Sequence, residues 1–168
     1  MDSSSAILLY KVDFISLVTD LYEVMIPRSV EQELTDHEDH VGAPAFGEMC
    51  QRGKLKTIAY EGTKGGIDIS GLTLGRGEAE TMALFSQGYG EFIVLDDRRG
   101  VALCRRENIP HINALLIPRI LFLGDIIDEA LYRKTFEKLL ERGYYGKKVV
   151  DFAAKVEKKD VGRFFPAV

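Results

Sequence analysis

The run Phe92-Ile93-Val94-Leu95 contains no polar residue and stops abruptly at the pair Asp96-Asp97. Four consecutive apolar residues give no alternation between a wet and a dry face, so a strand of this kind is covered on both sides. A parallel sheet flanked by helices supplies such cover. The surrounding pattern agrees. A helix is predicted over 74–87, ended by Gly88 and Gly90. Further helices are predicted over 98–107 and from about Pro118, with a short apolar strand at 109–112 between them. Upstream, Val24-Met25-Ile26 reads as a buried strand closed by Pro27 and followed by the helix of SVEQEL. LKTIAY reads as another strand, after a helix over 46–52. Apolar positions Ile7, Leu8, Val12, Ile15 and Val18 recur at helical spacing and predict one helix over 5–21, capped by the serines before it. TDHEDHVGAP and EGTKGG read as loops. The alternation predicts an α/β domain around a parallel sheet, and residues 129–168 add two helices as an extension.

A chain of 168 residues suits one domain, here expected over 1–128 with the extension 129–168 packed on it. No apolar run approaches the roughly 18 residues of a membrane span. The opening MDSSSAILLY has no basic residue before its apolar stretch, which argues against a secretory signal, so a cytoplasmic location is expected. Cys50 and Cys104 are isolated, lack metal-ligand spacing and fall in helical stretches, which predicts buried thiols. The net charge of −4 superficially disfavours a phosphate-bearing partner. That inference weakens if several acids are gathered in one site, because the rest of the chain is then near charge balance.

Functional groups in open parallel sheets collect at the carboxyl ends of the strands, where loops and helix N-termini meet in a crevice. Asp96 and Asp97 stand at such an end, although either also serves simply as a helix cap. Glu78, in LGRGEAETMAL, falls in the first turn of a helix, beside glycines that let the backbone approach closely. GRGEAE lacks the third glycine of a dinucleotide-binding motif and follows no strong strand, so a Rossmann cofactor site is rejected. Asp2 in DSSSAILL and Glu33 in IPRSVEQEL are the remaining candidates, each equally readable as a solvated or capping acid. Hard cations such as Mg2+ or Mn2+ take oxygen ligands and keep several waters, so a few carboxylates from distant segments suffice to hold one. A receiver-type phosphoryl-transfer pocket fits worse: it needs its paired acids early in the chain, and DSSS contains no Asp-x-Asp.

Taken in order, DSSSAILLYKV, IPRSVEQEL, LGRGEAETMAL and FIVLDDRRGVALCRRENIP closely resemble PIN domains, in particular the bacterial and archaeal branch related to toxins of toxin–antitoxin pairs. The resemblance covers roughly residues 2–128. It implies a three-layer α/β/α fold and a Mg2+- or Mn2+-dependent ribonuclease. On it, Asp2 matches the first acid, Glu33 the second and Glu78 the third, while Asp97 and Asp96 compete for the fourth; Asp2, Glu78, Asp96 and Asp97 would hold metal. Ser3 and Ser4 would orient a carboxylate, bind phosphate or cap the helix. Arg76, Arg98 and Arg99 would contact the RNA backbone. The partner implied is an antitoxin protein, and the C-terminal helices would serve it, a homodimer contact or plain core packing. PIN domains place an apolar strand before the first aspartate, and here only Met1 precedes Asp2, so a truncated first strand is expected. The alternative is a catalytically impaired PIN-like module that binds nucleic acid or protein.

Overall fold

A computed structural model of the chain describes residues 1–36, 42–62 and 74–166. The centres of both loops expected from the sequence, 37–41 and 63–66, lie outside the described residues.

The sheet consists of two parallel pairs and a two-residue link. Strand β1 (Val24–Pro27) pairs with β2 (Leu55–Ile58), Val24 opposite Leu55. Strand β3 (Ile93–Val94) pairs with β4 (His111–Ile112), Ile93 opposite His111. Backbone bonds from Ile93 N to the Pro110 carbonyl (2.9 Å) and from Leu95 N to the Ile112 carbonyl (3.0 Å) extend this pairing to the end of the apolar run. Between the pairs lies the start of the chain. Met1 N donates to the Met25 carbonyl (2.9 Å) and Asp2 N to the Val94 carbonyl (3.1 Å). Met1 and Asp2 thus occupy the place between β1 and β3.

Three of the segments that build the sheet run straight into helices. Asp2 caps α1 (Ser3–Lys11), β1 runs directly into α3 (Arg28–Thr35), and Asp97 caps α6 (Arg98–Arg106) after β3. The cap of α1 is the aspartate and not, as expected, a serine. The helix expected over 5–21 is two helices, α1 and α2 (Ile15–Leu21). The break falls at Asp13, whose φ of 60° is left-handed, with Asp13 N bonded to the Tyr10 carbonyl and Phe14 N to the Leu9 carbonyl (2.9 Å). These two bonds make a helix-ending motif in which Asp tolerates the left-handed turn. The apolar periodicity ran through this corner because Val12, Phe14 and Ile15 are all buried in it.

Helix α4 (Ala43–Gln51) leads into β2, and α5 (Arg76–Ser86) precedes β3. Helix α7 (Leu116–Leu123) starts two residues before the expected position, so Pro118 sits in its first turn, where a missing N–H removes no helical bond. After it come α8 (Glu129–Arg142), α9 (Lys147–Lys155), α10 (Lys158–Val161) and a 3-10 turn (Gly162–Phe164). Leu139, Ala153, Val156, Val161 and Phe164 from these last elements share one buried cluster with Leu9, Ile26, Val30, Leu115 and Ile120. A second, smaller cluster of Met82, Ile93, Leu95, Leu103, Cys104 and Ile109 seats α5 and α6 on β3. Both cysteines are free thiols; Cys104 is buried and Cys50 half-buried. Among the described residues no helix is long and apolar enough to cross a membrane.

Because Leu139 is fully buried in the cluster that also holds Leu9 and Ile26, Leu139→Ala is expected to cost about 2–5 kcal/mol. Chemical denaturation should show the loss as a lower midpoint of one transition rather than as a separate early unfolding of the C-terminal helices.

Candidate active site

Asp2 is held from three directions. Its backbone N–H bonds to β3, its carbonyl accepts from Ala6 N (3.2 Å), and its Oδ1 accepts from Ser5 N (2.9 Å) as the cap of α1. The residue is 2% exposed, and Oδ2 is buried with no hydrogen-bond partner. Burial raises the carboxyl pKa above its ordinary value, the bonds from Ser5 pull it back, and the charge of Asp96 raises it further.

Asp96 and Asp97 close the end of β3 in different ways. The Asp96 carboxylate accepts three bonds: Tyr145 Oη to Oδ1 (2.7 Å), Ser5 Oγ to Oδ2 (2.7 Å) and Ala114 N to Oδ2 (3.1 Å). It therefore ties α1, the β4–α7 turn and the α8–α9 connection to one point. Tyr145 is half-buried, and its phenol is pushed well above the ordinary range by burial, then by the neighbouring Asp96 charge and their bond, so it remains a donor. Asp97 caps α6 through one oxygen, Oδ1, which accepts from Arg99 N (2.7 Å) and Gly100 N (3.0 Å). The cap does not require its second oxygen.

Glu33 and Glu78 come from helices that touch. Gly77 of α5 lies against α3 so closely that a Cβ there would stand 2.8 Å from Val30 Cγ2 and 3.0 Å from Glu33 Oε1. Only glycine permits that approach. Glu33 Oε2 accepts from Ser3 Oγ (2.6 Å), the orienting role weighed for that serine. Glu78 folds back to accept from Gly75 N (3.0 Å). Its pKa is raised by burial, lowered by the Gly75 bond, and raised again by the charges of Asp97, Asp2 and Glu33. The charges of three acids from three other segments thus reach Glu78. Of the three arginines, Arg76 is bonded to the buried carboxylate of Glu80 (2.8 Å), while Arg98 and Arg99 are exposed on the first turn of α6.

The donor set is oxygen only, which suits a hard divalent cation. Among the described residues no three acidic, histidine or cysteine side chains form a ready-made metal cage. An ion of the Mg2+ type needs none, since it binds through one or two carboxylates and retains water. The unpartnered Asp2 Oδ2 is the atom that most fits such an ion: a buried carboxylate oxygen without a donor is costly, and a cation removes the cost. Ser5, Tyr145 and the Ala114 N–H were not foreseen. Ser5 had a signal, lying three residues after Asp2; Tyr145 had none, because it reaches Asp96 across 49 residues of chain.

Compared with known proteins, the chain matches the family model described as PIN domain over residues 1–155. No curated protein and no solved structure matches it.

The raised carboxyl of Asp2 sets the sign of a stability change. In metal-free protein the native state holds this proton more tightly than the unfolded chain, so the group's contribution is favourable at low pH and is lost as pH rises through the folded pKa. Asp2→Asn keeps the cap oxygen and removes the charge. At pH 7 in chelator it is expected to raise Tm by roughly 2–4 °C. Calorimetry should show this gain shrinking towards pH 4.

Proposed function

Because the chain belongs to the PIN-domain family, whose members are generally nucleases, we propose that it is a Mg2+- or Mn2+-dependent endoribonuclease acting through Asp2, Glu33, Glu78 and Asp97. The observation that carries this reading is the buried, unpartnered Oδ2 of Asp2, whose carboxyl, like that of Glu78, is raised by burial and by neighbouring acids. Asp2, Glu78 and Asp97 would hold the ion, with Asp96 beside them. When bound, such an ion neutralises charge on the phosphate and acidifies a water for in-line attack.

The chain's own residues do the rest. Ser3 fixes Glu33, and Gly77 lets that carboxylate stand against α5. Three donors hold Asp96, so its charge stays in place beside Asp2. Arg98 and Arg99, exposed at the helix end that Asp97 caps, are the cations placed to meet an RNA phosphate. Arg76 is a further candidate, with Glu80 engaging its guanidinium. A toxin role and an antitoxin that covers the acids follow from the family resemblance, and a cytoplasmic location from the absence of a basic residue before the opening apolar stretch.

Purified protein is expected to cleave single-stranded RNA with added Mg2+ or Mn2+ and to stop in chelator. Glu78→Gln and Asp97→Asn should each lower the rate roughly 100-fold or more while the fold persists by circular dichroism. Turnover that survives chelator would overturn the metal assignment. RNA binding indifferent to chelator and to both substitutions, without turnover, would establish the binding-module alternative instead.

A further inference from the structure

Helix α8 ends in Arg142, and the sequence Gly143-Tyr144-Tyr145-Gly146-Lys147-Lys148 leads into α9. The two tyrosines have opposite fates. Tyr145 turns inward and bonds to Asp96, and a Cβ at Gly143 would lie 2.4 Å from its ring, so glycine is required for the ring to fold back there. Tyr144 is 100% exposed, whereas the next most exposed large apolar side chain among the described residues, Phe152, is at 56%. Gly143 and Gly146 are both in extended conformation, with ψ of 154° and 152°. Neighbouring side chains on extended backbone point to opposite faces.

Resting on the nuclease reading above, we infer that Tyr144 is a stacking platform for an unpaired RNA base on the outer face of the α8–α9 connection. A lone exposed aromatic is by itself unremarkable on a protein surface. Three features separate this one. Its backbone is one residue, about 3.8 Å, from a side chain that touches Asp96. That anchor fixes the segment, so an incoming base meets a positioned ring. Arg142, Lys147 and Lys148, all exposed, flank it with positive charge, although Lys147 also bonds Asp151 (2.9 Å). Aromatic rings interleaved with cations are the recognition chemistry of single-stranded nucleic acid, whose bases are free to stack, and not of a duplex.

The chain contains no tryptophan, so Tyr144→Trp creates a single-site fluorescent reporter. Titrating it in chelator with a single-stranded oligoribonucleotide reads binding without cleavage. Saturable quenching is expected, with little change when the same strand is presented as a duplex. Anisotropy of a labelled oligonucleotide should show about tenfold weaker binding by Tyr144→Ala, within the range for loss of one base stack, and near-normal binding by Tyr144→Phe. If RNA binds while the Trp emission is unmoved, or Tyr144→Ala binds like the wild type, the stacking site is wrong and the nuclease reading stands. Emission that shifts to the blue with protein concentration alone would make Tyr144 a contact between copies, which also overturns it. Wild-type protein that neither binds nor cleaves RNA would overturn both.

Discussion

Asp2 is the residue on which the architecture around the acids depends. Its backbone N–H joins β3, while the preceding Met1 N joins β1, and these two bonds are the link at the centre of the sheet. One side-chain oxygen starts α1. The other is left buried without a donor. A single residue thus connects strand pairing, helix initiation and a buried carboxyl oxygen without a partner, so a shift in any one of them moves the others.

The gathering of acids around that residue opposes folding, and the surrounding structure offsets it locally. Ser3 donates to Glu33, the Gly75 N–H to Glu78, and three groups to Asp96. Hydrogen bonds to the charged form favour ionisation, whereas burial and like charges oppose it. For Glu78 the balance falls on the raised side, despite its bond to Gly75. The arrangement is therefore poised to gain from a cation. Close approach of α3 and α5 brings this about, and it rests on the bare Cα of Gly77.

The parts of the fold legible in the sequence were those that local periodicity determines. The apolar run ending at Asp96, the strand ending at Pro27 and the helix preceding β3 all lie close to where hydrophobic pattern and glycine signals put them. Acid positions were legible only through their order along the chain, because a carboxylate at a helix start looks the same whether it caps, binds or does both. Asp2 and Asp97 do cap helices. What could not be read was contact between distant segments. Tyr145 lies beyond residues 2–128, where the sequence motifs were read, in a connection with no periodic signal, yet it holds Asp96. The corner at Asp13 was hidden for the opposite reason, since its buried neighbours continue a helical pattern through a break.

That distant contact also bears on the neighbouring aspartates. A carboxylate offers about four acceptor positions. Asp96 uses three of them on donors from three separate parts of the chain, and both of its oxygens are engaged. Asp97 receives its two cap bonds on Oδ1 alone. In the electrostatics the pair divides in the same sense: Asp96 acts on Asp2, and Asp97 is the foremost acidic influence on Glu78. A residue whose oxygens already organise α1, the β4–α7 turn and the α8–α9 connection is suited to holding geometry. One that keeps an oxygen outside its cap bonds is suited to meeting a ligand. On hydrogen bonding the two neighbours thus differ in kind: Asp96 keeps the walls around it in register, and Asp97 caps α6 through one oxygen, which leaves the other outside the cap.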